Sequence, residues 1–155
     1  MLRSLTIAAV ALGAFPAVAA GPLEVTSRVM VEAKQRADDG STRVALLPAR
    51  RVVPGDRVVF VLAYRNVGRQ PLSDIVLDNP VPAGLAYRAP AQGSAVPDVS
   101  IDGKTYGALA ALRVPVAGGS TRAATAEDVT NVRWRIDRPI AAGTQGQFAF
   151  QAILR

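Results

Sequence analysis

The clearest signal in the chain is a period of two. From Arg57 to Asn66 the sequence runs Arg-Val-Val-Phe-Val-Leu-Ala-Tyr-Arg-Asn, with Val58, Phe60, Leu62 and Tyr64 at alternate positions. Side chains of an extended strand point alternately to its two faces, so this set predicts a strand with one buried side. Leu23 to Lys34 alternates in the same way, with small or apolar residues at odd positions. The turn cluster Asp38-Asp39-Gly40-Ser41 leads into a second short strand, Thr42 to Leu47, which stops at Pro48. Pro54-Gly55-Asp56 is another turn, Asn66-Val67-Gly68 closes the Arg57 strand, and Ser73 to Leu77 resumes the extended pattern before Asn79-Pro80-Val81-Pro82.

Further along, Val99-Ser100-Ile101 and Lys104-Thr105-Tyr106 flank Asp102-Gly103, a pair suited to the positive φ angles of a two-residue hairpin turn. Leu109 to Leu112 predicts a helical turn, and Pro115 to Thr125 a flexible loop rich in Gly, Ala, Ser and Thr. Asn131 to Ile136 alternates Val132, Trp134 and Ile136 with Asn131, Arg133 and Arg135, and Gln147 to Leu154 forms the last strand after a turn over Pro139 to Gly143. Seven to nine short strands with Pro/Gly turns and no long helix predict an all-β fold, an antiparallel sandwich, with closure into a barrel as the alternative. The inward set is Val58, Phe60, Leu62, Tyr64, Trp134, Ile136, Phe148 and Phe150.

The order of these elements resembles a bacterial conserved-repeat family, a domain of unknown function numbered eleven. The matching pieces are Pro54-Gly55-Asp56, the strand Val58 to Asn66 with Gly68, the extended Asp74 to Asn79, Pro82-Ala83-Gly84-Leu85, Trp134 and Gly143, spread over residues 51–154. Asn79 stands where the family usually carries Asp, and the chain holds one copy of a unit that often occurs in tandem. The resemblance implies an immunoglobulin-like β-sandwich and export, and it implies no active site.

The amino-terminal segment changes the expected location. Met1-Leu2-Arg3-Ser4 is a cationic start, Leu5 to Phe15 an apolar run, and Ala17-Val18-Ala19 a small-residue exit, which is the form of a secretory signal peptide. The apolar run is shorter than the roughly 18–20 residues that span a bilayer, so cleavage is expected rather than anchoring. Removing residues 1–20 leaves a single β-sandwich domain over 21–155 and a periplasmic or extracellular location. No long apolar segment follows, so no transmembrane segment is expected in the mature chain.

Composition removes most chemistry. The chain has no Cys and no His, so thiolate nucleophiles, disulfides, imidazole acid–base catalysis and Ser-His-Asp triads are excluded. The formal charge is +6, and sixteen of eighteen cationic residues are Arg, scattered singly apart from Arg50-Arg51. Without aromatic interleaving this pattern does not predict nucleic-acid binding.

The carboxylates offer little more. Asp98, Ser100, Asp102 and Gly103 begin like a calcium loop, but Leu109 occupies the position of the closing Glu, so a plain hairpin is expected and no metal site. Ser100 to Tyr106 also resembles the Asp-box hairpin of sialidase-like propellers, where it is a structural turn. Asp74 and Asp78 would lie about 13 Å apart on a strand, beyond the spacing of glycosidase carboxylates. Glu127-Asp128 reads as a loop pair, and Trp134 as core rather than a stacking platform.

One pattern asks for a partner or a cover. With Phe60 and Leu62 inward, Val59, Val61 and Ala63 form a second apolar set facing the other way. The candidate covers are the N-terminal strand, the loop Ala108 to Thr125 or another protein, and internal cover is the expectation. The function expected from all this is an exported, non-enzymatic binding or structural module of the periplasm or cell surface. It would need no cofactor and would contact another envelope protein or cell-surface component. The alternatives are a secreted carboxylate- or calcium-dependent hydrolase and a strand-donating envelope assembly factor.

Overall fold

Ten strands build three antiparallel sheets in a computed structural model that describes residues 21–49 and 52–155. The signal-peptide reading of residues 1–20 and the Arg50-Arg51 pair lie outside the described residues. The strands are β1 (Leu23–Arg36), β2 (Thr42–Pro48), β3 (Arg57–Asn66), β4 (Ile75–Pro80), β5 (Leu85–Pro90), β6 (Asp98–Ser100), β7 (Arg113–Pro115), β8 (Thr121–Ala123), β9 (Asn131–Ile136) and β10 (Gln145–Leu154). The five-stranded sheet has the order β2-β1-β3-β10-β5, the three-stranded sheet β4-β9-β6, and β7 pairs with β8.

The alternating strand β3 sits at the centre of the larger sheet, between β1 and β10. Its inward face carries Val58, Phe60 and Leu62, which join Leu77, Val132 and Trp134 of the smaller sheet in one hydrophobic core. Aromatic rings connect the two sheets. Trp134 stacks on Phe148 at 5.2 Å and lies 6.2 Å from Phe150, which within the larger sheet stacks on Phe60 at 4.9 Å. Such pairs contribute about 0.5–1.5 kcal/mol beyond the area they bury. Trp134 is 2% exposed and its indole N–H donates to the Ala95 carbonyl at 3.0 Å. Tyr64, Ile136 and Phe148 are half-buried and pack against this core from its margin.

The Pro-Gly-Asp, Asn66–Gly68, Pro82–Leu85 and Gly143 turns close the ends of the strands. Asn66 is fully buried and is satisfied on every side. Its amide donates to the carbonyls of Gln70 and Ile140 at 2.8 Å each, and its side-chain oxygen accepts from the Gly68 N–H at 2.9 Å. The Gly143 N–H donates to the Asn66 carbonyl at 2.8 Å, so Asn66, Gly68 and Gly143 form one cluster. At the opposite end of β3, Asp56 accepts from the Val53 N–H at 2.8 Å while Gly55 N–H donates to the Leu154 carbonyl. In Pro82-Ala83-Gly84-Leu85 the Leu85 N–H closes onto Pro82.

Several sequence expectations need correction. The described strands number ten rather than seven to nine, because Leu85–Pro90 and the β7-β8 hairpin are strands. The hairpin occupies the region expected as a flexible loop, and Leu112 just before it is 7% exposed in the core. β4 runs on through Asn79 to Pro80, since an edge strand tolerates a residue without an N–H. Asp102-Gly103 does not form a two-residue hairpin. Only Gly103 of that pair has positive φ, and the bridge that closes the loop joins Val99 to Gly107.

Candidate functional site

The 108–125 segment does not cover the second apolar set of β3, and the N-terminal strand β1 contributes cover only through side chains at its flank, not by lying over the face. β1 lies beside β3 in the same sheet, and Leu112 enters the core on the other side. The cover at Val59 comes instead from the flanking strands. Met30 and Gln151 are both cross-strand partners of Val59, and the Gln151 amide donates to the Glu32 carboxylate at 2.5 Å, reaching from β10 to β1. Val59 is 2% exposed as a result, whereas Val61 and Ala63 are half-buried. Arg28 and Met30 of β1 and Gln147 and Gln151 of β10 flank Val59, Val61 and Ala63, with the short Ala149 opposite Val61, and leave a trough along the strand. At its far end is a concavity of about 500 Å3 lined by Glu24, Thr26, Arg28, Ala63, Arg65 and Gln147, among others. Gly146 at this end is required locally, because a β-carbon there would overlap the Tyr64 ring.

The edges of the sheets differ more than their faces. β5, one edge of the larger sheet, is covered by the 3-10 turn Ala126–Asp128, with Arg88 3.3 Å from Glu127. The Val81 N–H donates to the Thr130 carbonyl, which sets the phase of β4. Val76, Asp78 and Pro80 therefore direct their backbones outward, and a charge and a proline blunt that edge. β6 is three residues long and is flanked by the Val99–Gly107 bridge.

Among the described residues, β2 is the open edge. At the two ends of the β1-β2 ribbon, Ala49 N–H donates to the Val29 carbonyl at 3.2 Å and Ala37 N–H to the Ser41 carbonyl at 2.8 Å. Bonded pairs alternate along an antiparallel ladder, so Arg43, Ala45 and Leu47 bond to β1. The backbone groups of Thr42, Val44, Leu46 and Pro48 point away from the sheet. Val44 is 62% exposed, Leu46 45% and Leu47 42%. Beyond Val31, the last β1 residue paired with β3, the ribbon is two-stranded.

The carboxylates singled out from the sequence are occupied structurally. Asp78 holds Arg133 through two bonds of 2.7 and 2.9 Å, and that guanidinium lies 3.6 Å over the Tyr106 ring. Asp74 precedes β4 with φ +55, a conformation Asp tolerates better than most residues. Asp98 faces Arg135 at 3.8 Å. Asp128 grips Arg122 at 2.6 and 2.7 Å and caps the 3-10 turn through Thr125, which together hold its carboxyl well below the usual range. Glu127 receives Arg155 at 2.8 Å.

Asp102 accepts the backbone N–H groups of Thr105 and Lys104 at 2.8 Å and the Ser100 hydroxyl at 2.9 Å. These donors, all on Oδ1, depress its pKa far below the ordinary value, and the Thr105 hydroxyl donates to Oδ2 at 3.2 Å, so the carboxylate is committed to the turn. Among the described residues no cluster of His, Cys, Asp and Glu could hold a metal ion, and no helix is long and apolar enough to cross a membrane.

Two features escaped the sequence reading. Asn66 falls in phase with Val58, Phe60, Leu62 and Tyr64, and a polar residue on a core-facing phase was the available signal for a buried hub. The openness of β2 had no signal, because it depends on which strands flank it. Comparison of the chain with models of known families, with curated proteins and with solved structures finds no match in any of the three.

Proposed function

We propose that this chain is an exported, non-enzymatic binding or structural module of the bacterial periplasm or cell surface, which engages an extended polypeptide strand along β2. The observation that carries the reading is the open β2 edge, where exposed Val44 and Leu46 stand on residues whose N–H and C=O groups point outward. Unpaired backbone groups beside apolar side chains are what strand addition uses, the ladder giving affinity and alternate side chains giving selectivity. The immunoglobulin-like sandwich belongs to the same proposal. It is supported by the core shared between the two larger sheets and by the Pro-Gly-Asp, Asn66–Gly68 and Gly143 turns. Export is supported by the three-part composition of residues 1–20. A carboxylate-dependent or calcium-dependent hydrolase is disfavoured by the commitment of Asp78, Asp98, Asp102, Glu127 and Asp128 to arginines and turns.

The test is site-specific photocrosslinking in the native envelope, with a photoreactive side chain at Val44, at Ala63 in the trough, or at Val76 on the blunted β4 edge. The expected result is a protein adduct from Val44 and none from Val76. An adduct from Ala63 with none from Val44 would move the binding site to the sheet face.

A further inference from the structure

We infer that the strand received by β2 is β2 of a second copy of this chain, added antiparallel about a two-fold axis through Ala45. This rests on the open-edge reading above and names its occupant.

The inference starts from the phase of the edge. Backbone groups face outward at Thr42, Val44, Leu46 and Pro48, a set symmetric about Ala45. An antiparallel copy centred there places Val44 opposite Leu46 of the second copy, and Leu46 opposite its Val44. Both are hydrogen-bonded pairs of an antiparallel ladder, each exchanging N–H and C=O in both directions. Thr42 falls opposite Pro48, where the Thr42 N–H meets the Pro48 carbonyl. The missing Pro48 N–H removes one bond at each outer end and none at the centre.

The side chains agree with that register. Val44 and Leu46, 62% and 45% exposed, meet their counterparts on one face of the joined sheet. On the other face the smallest side chain, Ala45, sits on the axis, where the two copies come closest in a non-bonded pair. Arg43 lies opposite Leu47, so no like charges oppose each other, and Asp39 already neutralises it at 3.6 Å. An isologous contact is closed, so pairing stops at a dimer with a continuous ten-stranded sheet, twice the five strands of one copy. A shift of the axis by one residue to Val44 or Leu46 places Val44 opposite itself or opposite Pro48, and the mutual Val44–Leu46 contacts are lost.

The chain contains no Cys, so single-cysteine variants report the register directly. Ala45→Cys, Val44→Cys and Leu46→Cys are compared under mild oxidation, alongside sedimentation of the unmodified protein over a concentration series. The expected result is a reversible dimer in sedimentation and rapid disulfide crosslinking at Ala45→Cys only. Leu46→Lys should shift the protein to monomer while leaving its melting temperature in dilute solution, where the parent too is monomeric, close to the parent's. A protein that sediments as a monomer at every concentration overturns the inference, as does crosslinking that favours Val44→Cys or Leu46→Cys. A monomer that still gives a heteromeric Val44 photoadduct overturns self-pairing while the open-edge reading stands. A monomer with no Val44 adduct removes both.

Discussion

Gln151 on β10 donates a hydrogen bond to Glu32 on β1 across the outer face of β3, at the level of Val59. This bond explains how an apolar residue on the solvent side of a sheet comes to be 2% exposed without a covering loop. Gln151→Ala removes the bond and uncovers Val59, which should cost about 1–2 kcal/mol. Urea denaturation of the two proteins measures it. An unchanged midpoint would show that Met30 alone shields the valine.

Asn66 predicts a larger effect. Asn66→Ala strands the Gln70 and Ile140 carbonyls and the Gly68 N–H, and the loss should exceed about 2 kcal/mol. Asn66→Asp presents a carboxylate to two carbonyl oxygens in a buried site, which raises its folded-state pKa. That variant should be weakest at neutral pH and regain stability as the pH falls through the raised folded-state value, with the recovery complete near the unfolded-state value of about 4. Melting temperatures at neutral and acid pH separate the two substitutions, and an Asp variant as stable as the parent at neutral pH would contradict the network.

Trp134 joins the two sheets by stacking on Phe148 and donating to Ala95. Trp134→Ala should destabilise by about 3–5 kcal/mol. Trp134→Phe keeps an aromatic ring and loses the indole bond, so a smaller loss, about 1–2 kcal/mol, is expected. Denaturant midpoints for the pair of variants check the order.

Acid should weaken the parent through Asp102 and Asp128, whose folded-state pKa values are depressed by Thr105 and Lys104 N–H groups and by Arg122. Stability from a depressed carboxyl is fully present above the unfolded-state pKa of about 4 and is lost as the pH falls through the folded-state value. Asp102→Asn combined with Asp128→Asn should therefore flatten the acid limb of the stability curve below about pH 4. A double variant as acid-sensitive as the parent would assign that limb to other groups.

Strand β3 was legible because large apolar residues recur strictly at every second position from Val58 to Tyr64. β5 was not, since Leu85, Ala86 and Tyr87 are buried in succession and a bulge at Gln151/Ala152 shifts its register. The β7-β8 hairpin was hidden by Gly118 and Gly119, whose positive φ angles make its turn while their composition suggests a loop. Asp102-Gly103 signals a turn, but the contacts of Asp102 with Ser100 and Thr105 build a wider loop than that pair alone indicates. The candidate site was the least legible part. Thr42 to Pro48 reads as any short strand, and only the order β2-β1-β3 places it at an edge with Val44 and Leu46 turned outward.

Amide hydrogen exchange along β2, followed from dilute to concentrated protein, tests the open edge most directly. Arg43, Ala45 and Leu47 bond to β1 and should be protected at every concentration. Val44 and Leu46 should exchange freely when dilute and slow progressively as the concentration rises and β2 pairs with its copy. Rates at Val44 and Leu46 that are already slow in dilute protein would contradict the open edge, and rates that stay fast at every concentration would contradict its pairing with a second copy.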